Sequence, residues 1–266
     1  MRKAFARPLS LVIGPGRTAR IAPGELGARA DVDKSIGRAR VSRPGASVPL
    51  DVQVSRDRVR AYVERLGRQQ VDTPAVDATL VLRRAALFAK PSKPGRRLDR
   101  LASALAIRVA LATNDRAAVR LQVHPIQPRV TKTSLGPAIV ILRGSNVLRL
   151  YENAELVRTF GVATGQAAYP TPLGAFTIAV MERDPWWYPP PSPWAKDEQP
   201  VPPGPGNPLG TRWMGLSVPY VGIHGTPDAA SIGYSASHGC IRMLIPDAEW
   251  LFRRVKVGTP VFIVAR

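Results

Sequence analysis

With only one cysteine, Cys240, the chain can form no intramolecular disulfide, so whatever it folds into must be held by packing alone. Its 266 residues are enough for two ordinary domains with separate cores. No apolar run reaches the ~18 to 20 residues of a membrane span. The lone thiol leaves the compartment open, because a secreted protein can keep one reactive cysteine. The start of the chain has a basic head, but its apolar part is interrupted by Arg7, Pro8 and Gly14. That falls short of the ~7 to 15 residue apolar region of an export signal. If the protein works outside the cytoplasm, the expectation is that its original N-terminus is missing or that another export route serves.

Charge is unevenly spread. The net charge is +19, and residues 1–132 hold 27 Lys and Arg against 10 Asp and Glu. The second half is close to neutral. Such a basic half favours adhesion to a polyanion: nucleic acid, anionic lipid or an anionic wall polymer. It contains no recognisable nucleic-acid motif and few aromatics to stack bases, so nucleic acid is not the expected partner.

Taken in order, residues 9–22 read as two short strands around Gly14-Pro15-Gly16, a turn. Asp31 to Val41 is a candidate short helix, and Val48–Val54 alternates like a strand. Ser55 is placed as the N-cap of a helix with Val59, Tyr62, Val63 and Leu66 on one face. Residues 74–88 carry strand-like pairs (Ala78, Leu80, Leu82; Ala86, Phe88). A second helix near Leu98–Ala112 shows apolar spacing at Leu98, Leu101, Ala102 and Leu105. Ala117–Val123 alternates as a strand, with His124 as an exposed strand end. This order gives an N-terminal α+β domain over 1–132.

The remainder, 133–266, is rich in short strands: Ala138–Leu142 and Val147–Tyr151 around the turn signal Arg143-Gly-Ser-Asn, then Leu156–Val162, Gly174–Val180, Pro219–Ile223 and Val261–Val264. Pro246 with Asp247 and Glu249 opens one helix after Cys240. A mostly-β sandwich or barrel with that single helix is the expected architecture. Arg183 to Pro208 is too rich in proline to be a central strand or helix. Its Trp186, Trp187, Tyr188 and Trp194 make it either a lid over a ligand path or a stiff surface loop pinned by its own rings.

The chemistry concentrates between Gly222 and Met243, which holds Cys240 and two of the three histidines, His224 and His238. A thiol attacks and an imidazole moves its proton. Beside a histidine, a cysteine pKa can fall from ~8.5 to ~3.5 to 7.5, which would supply thiolate at neutral pH. Gly222, Gly225 and Gly239 permit close approach of a substrate backbone and let N–H groups face a developing oxyanion. Other readings stay open: Cys240 as a buried small hydrophobe, a His/His/Cys zinc site, although the spacings are not those of zinc motifs, and His238 as a structural hydrogen bonder.

The string Ser237-His238-Gly239-Cys240-Ile241-Arg242, with Gly-Ile-His-Gly-Thr around His224, resembles the signature of the L,D-transpeptidases, the YkuD-type catalytic domain. Thr164-Gly165, Tyr169-Pro170-Thr171-Pro172-Leu173-Gly174-Ala175-Phe176, Asn207-Pro208-Leu209-Gly210 and Trp213-Met214-Gly215 extend the likeness over roughly 137–266. Arg242 stands where some members carry Asn. More loosely, Val71 to Ala78, Pro94 to Asp99 and Pro128 to Thr131 resemble the peptidoglycan-binding domain that precedes such catalytic domains; the alternative is a spacer.

The resemblance implies Cys240 as nucleophile, His224 as general base and then acid, and the Gly225 carbonyl as the group that orients the imidazole. Main-chain N–H groups around Gly239 and Cys240 would receive the oxyanion. Ser237 and His238 would shape that pocket. Arg242, through its planar fork, would suit a stem-peptide carboxylate, a structural ion pair being the alternative. Tyr220 and Trp194 would face the substrate, with the 183–208 loop as lid. The implied donor is a peptidoglycan tetrapeptide stem, cut before its terminal D-Ala and resolved by a neighbouring amine into a 3→3 cross-link. Water as acceptor would make the enzyme an L,D-carboxypeptidase, and a wall-binding protein with dormant thiol chemistry is the non-enzyme alternative. No metal or organic cofactor is required. Carbapenems are expected to acylate Cys240, and the expected location is the cell envelope.

Overall fold

The structure is a computed structural model that describes residues 6–265; the basic head at residues 1–5 lies outside the described residues. The chain forms two compact units. One runs through Val76 and resumes over Lys93–Arg129; the other is Asp77–Ser92 together with the chain from Val130 onward.

The first unit is α+β. Strands Leu9–Gly14 and Arg17–Ile21 pair antiparallel, and Val119–Arg120 joins the first in parallel. Its helices start where capping side chains allow. The Asp31 carboxylate accepts from the Lys34 N–H (3.0 Å) to open Val32–Arg40. Ser55 Oγ accepts from Arg58 (3.3 Å) to open Arg56–Leu66, and Asp99 from Ala102 (2.8 Å) to open Arg100–Ala112. Leu9, Leu11, Leu26, Val59, Val63, Leu98, Ile107 and Leu111 form the core. His124 lies inside the strand Val123–Ile126, paired with Gly95–Leu98, rather than at the end of a 117–123 strand, and it meets Asp99 at 3.1 Å.

One expectation fails here. Leu101 is 86% and Leu105 60% exposed, whereas Ser103, Ile107, Ala110 and Leu111 are buried. Both stripes run at helical spacing through this alanine-rich segment, so periodicity alone does not choose between them. Packing against Arg56–Leu66 chose the other.

The second unit is mostly β, with a short helix after Cys240. Its main sheet has eight strands: β1 (Pro137–Leu142), β2 (Val147–Glu152), β3 (Glu155–Gly161), β4 (Gly174–Arg183), β5 (Arg212–Leu216), β6 (Gly222–Thr226), β7 (Ile241–Leu244) and β8 (Pro260–Val264). Their spatial order is β3-β2-β1-β8-β4-β5-β6-β7. Neighbours are antiparallel except β1 with β8 and β6 with β7. Strand β5 is an addition to the sequence reading, and His224 lies mid-strand in β6 rather than at a strand's end.

β1 is apolar without alternation because both its faces are covered. Ile139 and Ile141 join the main core with Ile178, Met214, Ile223, Ile241, Met243 and Leu251. Ala138, Val140 and Leu142 face a second cluster with Leu80, Leu82 and Leu87. Those last residues come from a hairpin, Thr79–Arg83 with Ala86–Lys90, far upstream in the chain. In that hairpin Leu87 is buried and Phe88 is 53% exposed, so the inward register is one residue away from the Ala86 and Phe88 face read in the sequence. Its turn places Arg84 (φ +47°) and Ala85 (φ +61°) in the left-handed region, with neither glycine nor asparagine to announce it.

Candidate active site

β6 and β7 lie side by side in parallel, with Ile223 opposite Ile241 and His224 opposite Arg242. Cys240 is the residue before β7, so the thiol and the imidazole come from neighbouring strands and line one cleft of about 870 Å³. His224 is almost fully buried and Cys240 half-buried. Four of the other residues expected at the site, Ser237, His238, Gly239 and Arg242, also line this cleft, as do Tyr220 and Trp194. Gly225 lies beside it.

His224 Nδ1 bonds the Gly225 carbonyl oxygen at 2.6 Å. That bond needs a proton on Nδ1, which leaves Nε2 as the basic nitrogen. Trp213 packs its ring 5.8 Å from the imidazole. Gly222 makes that possible, because a Cβ there would come within 2.4 Å of the indole.

The resting charges differ from the thiolate expected at neutral pH. Burial pushes the imidazole down to about 4; the Gly225 bond opposes this and the Arg242 guanidinium adds to it. Burial likewise pushes the Cys240 thiol up, against the opposing effects of the Gly222 N–H and Arg242. Both groups are therefore neutral at neutral pH. Sγ donates instead to the Tyr220 carbonyl oxygen at 3.5 Å.

The loop before Cys240 is fixed from both sides. Ser237 Oγ donates to the Cys240 carbonyl oxygen (2.6 Å) and accepts from the Gly239 N–H (3.2 Å). Gly239 holds φ at +112°, which favours glycine. His238 meets two rings: Trp194 stacks on it at 4.0 Å and 11°, and Tyr169 lies tilted by 59° at 5.2 Å. Burial and Arg242 both lower its pKa. Arg242 meets Asp228 at 3.6 Å.

The 183–208 segment forms one wall of the cleft through Trp186, Trp187, Tyr188 and Trp194. It is tied to itself by a Trp187–Val201 bridge and by Asn207, whose Nδ2 donates to the carbonyl oxygens of Pro185 (2.8 Å), Val201 (3.1 Å) and Pro202 (3.1 Å). Sequence reasoning gave no role to Trp213, Tyr169 or Thr171. Each stands in a motif quoted above, but only the register of β5 and the fold of the 165–171 loop bring them to the site.

Two family profiles match the chain. The one described as L,D-transpeptidase catalytic domain covers residues 136–263, and the one described as "Putative peptidoglycan binding domain" covers 19–120. The protein named "Putative L,D-transpeptidase YqjB" from Bacillus subtilis is 30% identical over 149 residues, which are 54% of this chain and 80% of that one. The chain belongs to the L,D-transpeptidase family. A second relative, "Putative L,D-transpeptidase YkuD" from Bacillus licheniformis, is 36% identical over 125 residues, 47% of this chain. That match spans 64% of the relative's own length. The L,D-transpeptidase profile includes His224, Cys240 and every residue that lines the cleft.

Proposed function

We propose that the protein is a cysteine-dependent L,D-transpeptidase acting on peptidoglycan stem peptides in the cell envelope. The observation that carries the reading is the shared cleft of Cys240 and His224, with Nδ1 engaged by Gly225 and Nε2 left as the base. As Sγ attacks the peptide carbonyl carbon, the thiol proton passes to Nε2 and the carbonyl π electrons move to oxygen. Collapse expels the amine of the terminal residue, which takes the proton from His224 and leaves a thioester. A stem amine from a neighbouring chain then attacks the thioester, giving a 3→3 cross-link and restoring the thiol. Because both groups rest neutral, proton transfer accompanies attack rather than preceding it.

Around that centre, Arg242 holds a stem carboxylate, and His238 with Trp194 forms a flat surface for the peptide. Tyr220 borders the same path, and the 183–208 segment covers it. The first unit, with its excess of arginine, holds the sacculus and its anionic polymers. Intact-protein mass spectrometry after carbapenem exposure tests the nucleophile. The wild type should gain one adduct and Cys240→Ala none; an adduct on the alanine variant refutes the assignment. Product analysis from purified stem peptides separates cross-linking from hydrolysis.

A further inference from the structure

Around the nucleophile, three of the four main-chain polar groups of Gly239 and Cys240 are engaged inside the protein. The Gly239 N–H and the Cys240 carbonyl both meet Ser237 Oγ. The Gly239 carbonyl accepts from Thr171 Oγ1 at 2.9 Å. Among the described residues, nothing accepts from the Cys240 N–H.

Thr171 is fully buried and does not line the cleft. Its hydroxyl is used in both directions, because it also accepts from the Gly165 N–H at 2.8 Å. Its own carbonyl accepts from Arg143 Nη1 at 2.8 Å, which anchors it to the turn between β1 and β2. Gly165 fits tightly here, since a Cβ would come within 2.2 Å of the Tyr169 carbonyl oxygen. Gln166 N–H donates to the Ser237 carbonyl at 2.9 Å, so the 165–171 loop and the 237–240 loop are laced together.

In a trans peptide the C=O and the following N–H point in opposite directions. A Gly239 carbonyl drawn toward buried Thr171, which does not line the cleft, therefore turns the Cys240 N–H away from Thr171. Resting on the acyl-transfer reading above, we propose that Thr171 is a positioning residue. Its hydroxyl sets the Gly239–Cys240 peptide plane so that the Cys240 N–H receives the oxyanion formed when Sγ attacks. The Gly239 N–H, held by Ser237, is not the donor. A threonine distant in sequence thus controls the step without touching substrate.

The test compares Thr171→Val with Thr171→Ser. Carbapenem acylation, followed by intact mass, requires a carbonyl oxyanion; alkylation of Cys240 by iodoacetamide does not. Thr171→Val should acylate on the order of 10² to 10³-fold more slowly, the cost of losing one oxyanion donor. The loss should fall on the rate at saturating drug rather than on the half-saturating concentration. Its alkylation should stay within a few-fold of wild type, and Thr171→Ser should keep both rates. If valine does not fold, Thr171→Ala removes the same hydroxyl without filling space and carries the same comparison. Wild-type acylation by a folded valine or alanine variant overturns the inference, as does an equal loss of alkylation, which would mean that the hydroxyl only holds the loop. A wild type that never acylates at Cys240 would instead sink the acyl-transfer reading itself, and this inference with it.

Discussion

Cys240 Sγ donates to the main-chain carbonyl of Tyr220 at 3.5 Å, and Tyr220 holds that carbonyl in place with a left-handed φ of +61°. The tyrosine ring is 66% exposed, so packing contributes little to keeping it there. A non-glycine residue in this region costs on the order of 1 to 2 kcal/mol. Tyr220→Gly should therefore fold at least as stably as the wild type. Tyr220→Val, β-branched at the same φ, should be about 1 to 2 kcal/mol less stable than Tyr220→Gly in urea unfolding. Equal stability of the two variants would contradict the strain.

The pH dependence of acylation follows from His224. A base with an ordinary imidazole pKa would lose activity as pH falls through about 6.5; this one, pushed down to about 4, should stay active to near pH 4. Rates of carbapenem adduct formation between pH 3.5 and 8 give the answer, and a half-loss close to 6.5 would refute the neutral pair.

Stability follows the same group. Between pH 6.5 and about 4 the unfolded chain takes up a proton that the folded one refuses, so stability is full at neutral pH and falls across that window. The loss attributable to His224 is on the order of 3 kcal/mol, and His224→Gln should flatten that part of the profile.

The helix Arg100–Ala112 gives a test of packing phase. Leu101→Gln and Leu105→Gln should change stability by no more than about 0.5 kcal/mol, while Ile107→Ala should cost about 2 to 5 kcal/mol. Thermal or urea unfolding decides, and a large loss at Leu101 would restore the face that sequence periodicity favoured.

Trp194→Ala removes the ring stacked on His238. The expected result is a several-fold rise in KM for stem peptide, with iodoacetamide alkylation of Cys240 unchanged. Unchanged KM would remove Trp194 from the substrate wall.

Much of this was readable in the chain because it is local. Helix starts were marked by Ser55 and Asp31, and the turn between β1 and β2 by Arg143-Gly-Ser-Asn. The segment around Cys240 suggested thiol chemistry through residue types that few other tasks require together, and the fold brings Cys240 and His224 to one cleft. What could not be read depends on distance. Nothing in residues 79–90 tells that they cover the second face of β1, and nothing in Thr171 tells that it holds Gly239, 68 residues later. Resting protonation also escaped. The proximity of a histidine suggested a thiolate, but the degree of burial, which only the fold sets, pushes both groups to neutrality.

Asn207 fastens the aromatic wall through a single side-chain amide, and the residue that follows it is Pro208. Asparagine ages when the next residue's main-chain nitrogen, carrying a hydrogen, closes a ring on the amide carbon. Proline has no such hydrogen. The clasp of this wall is therefore chemically durable at the one point where hydrolysis to aspartate would replace the donor with a repelling anion among carbonyl oxygens.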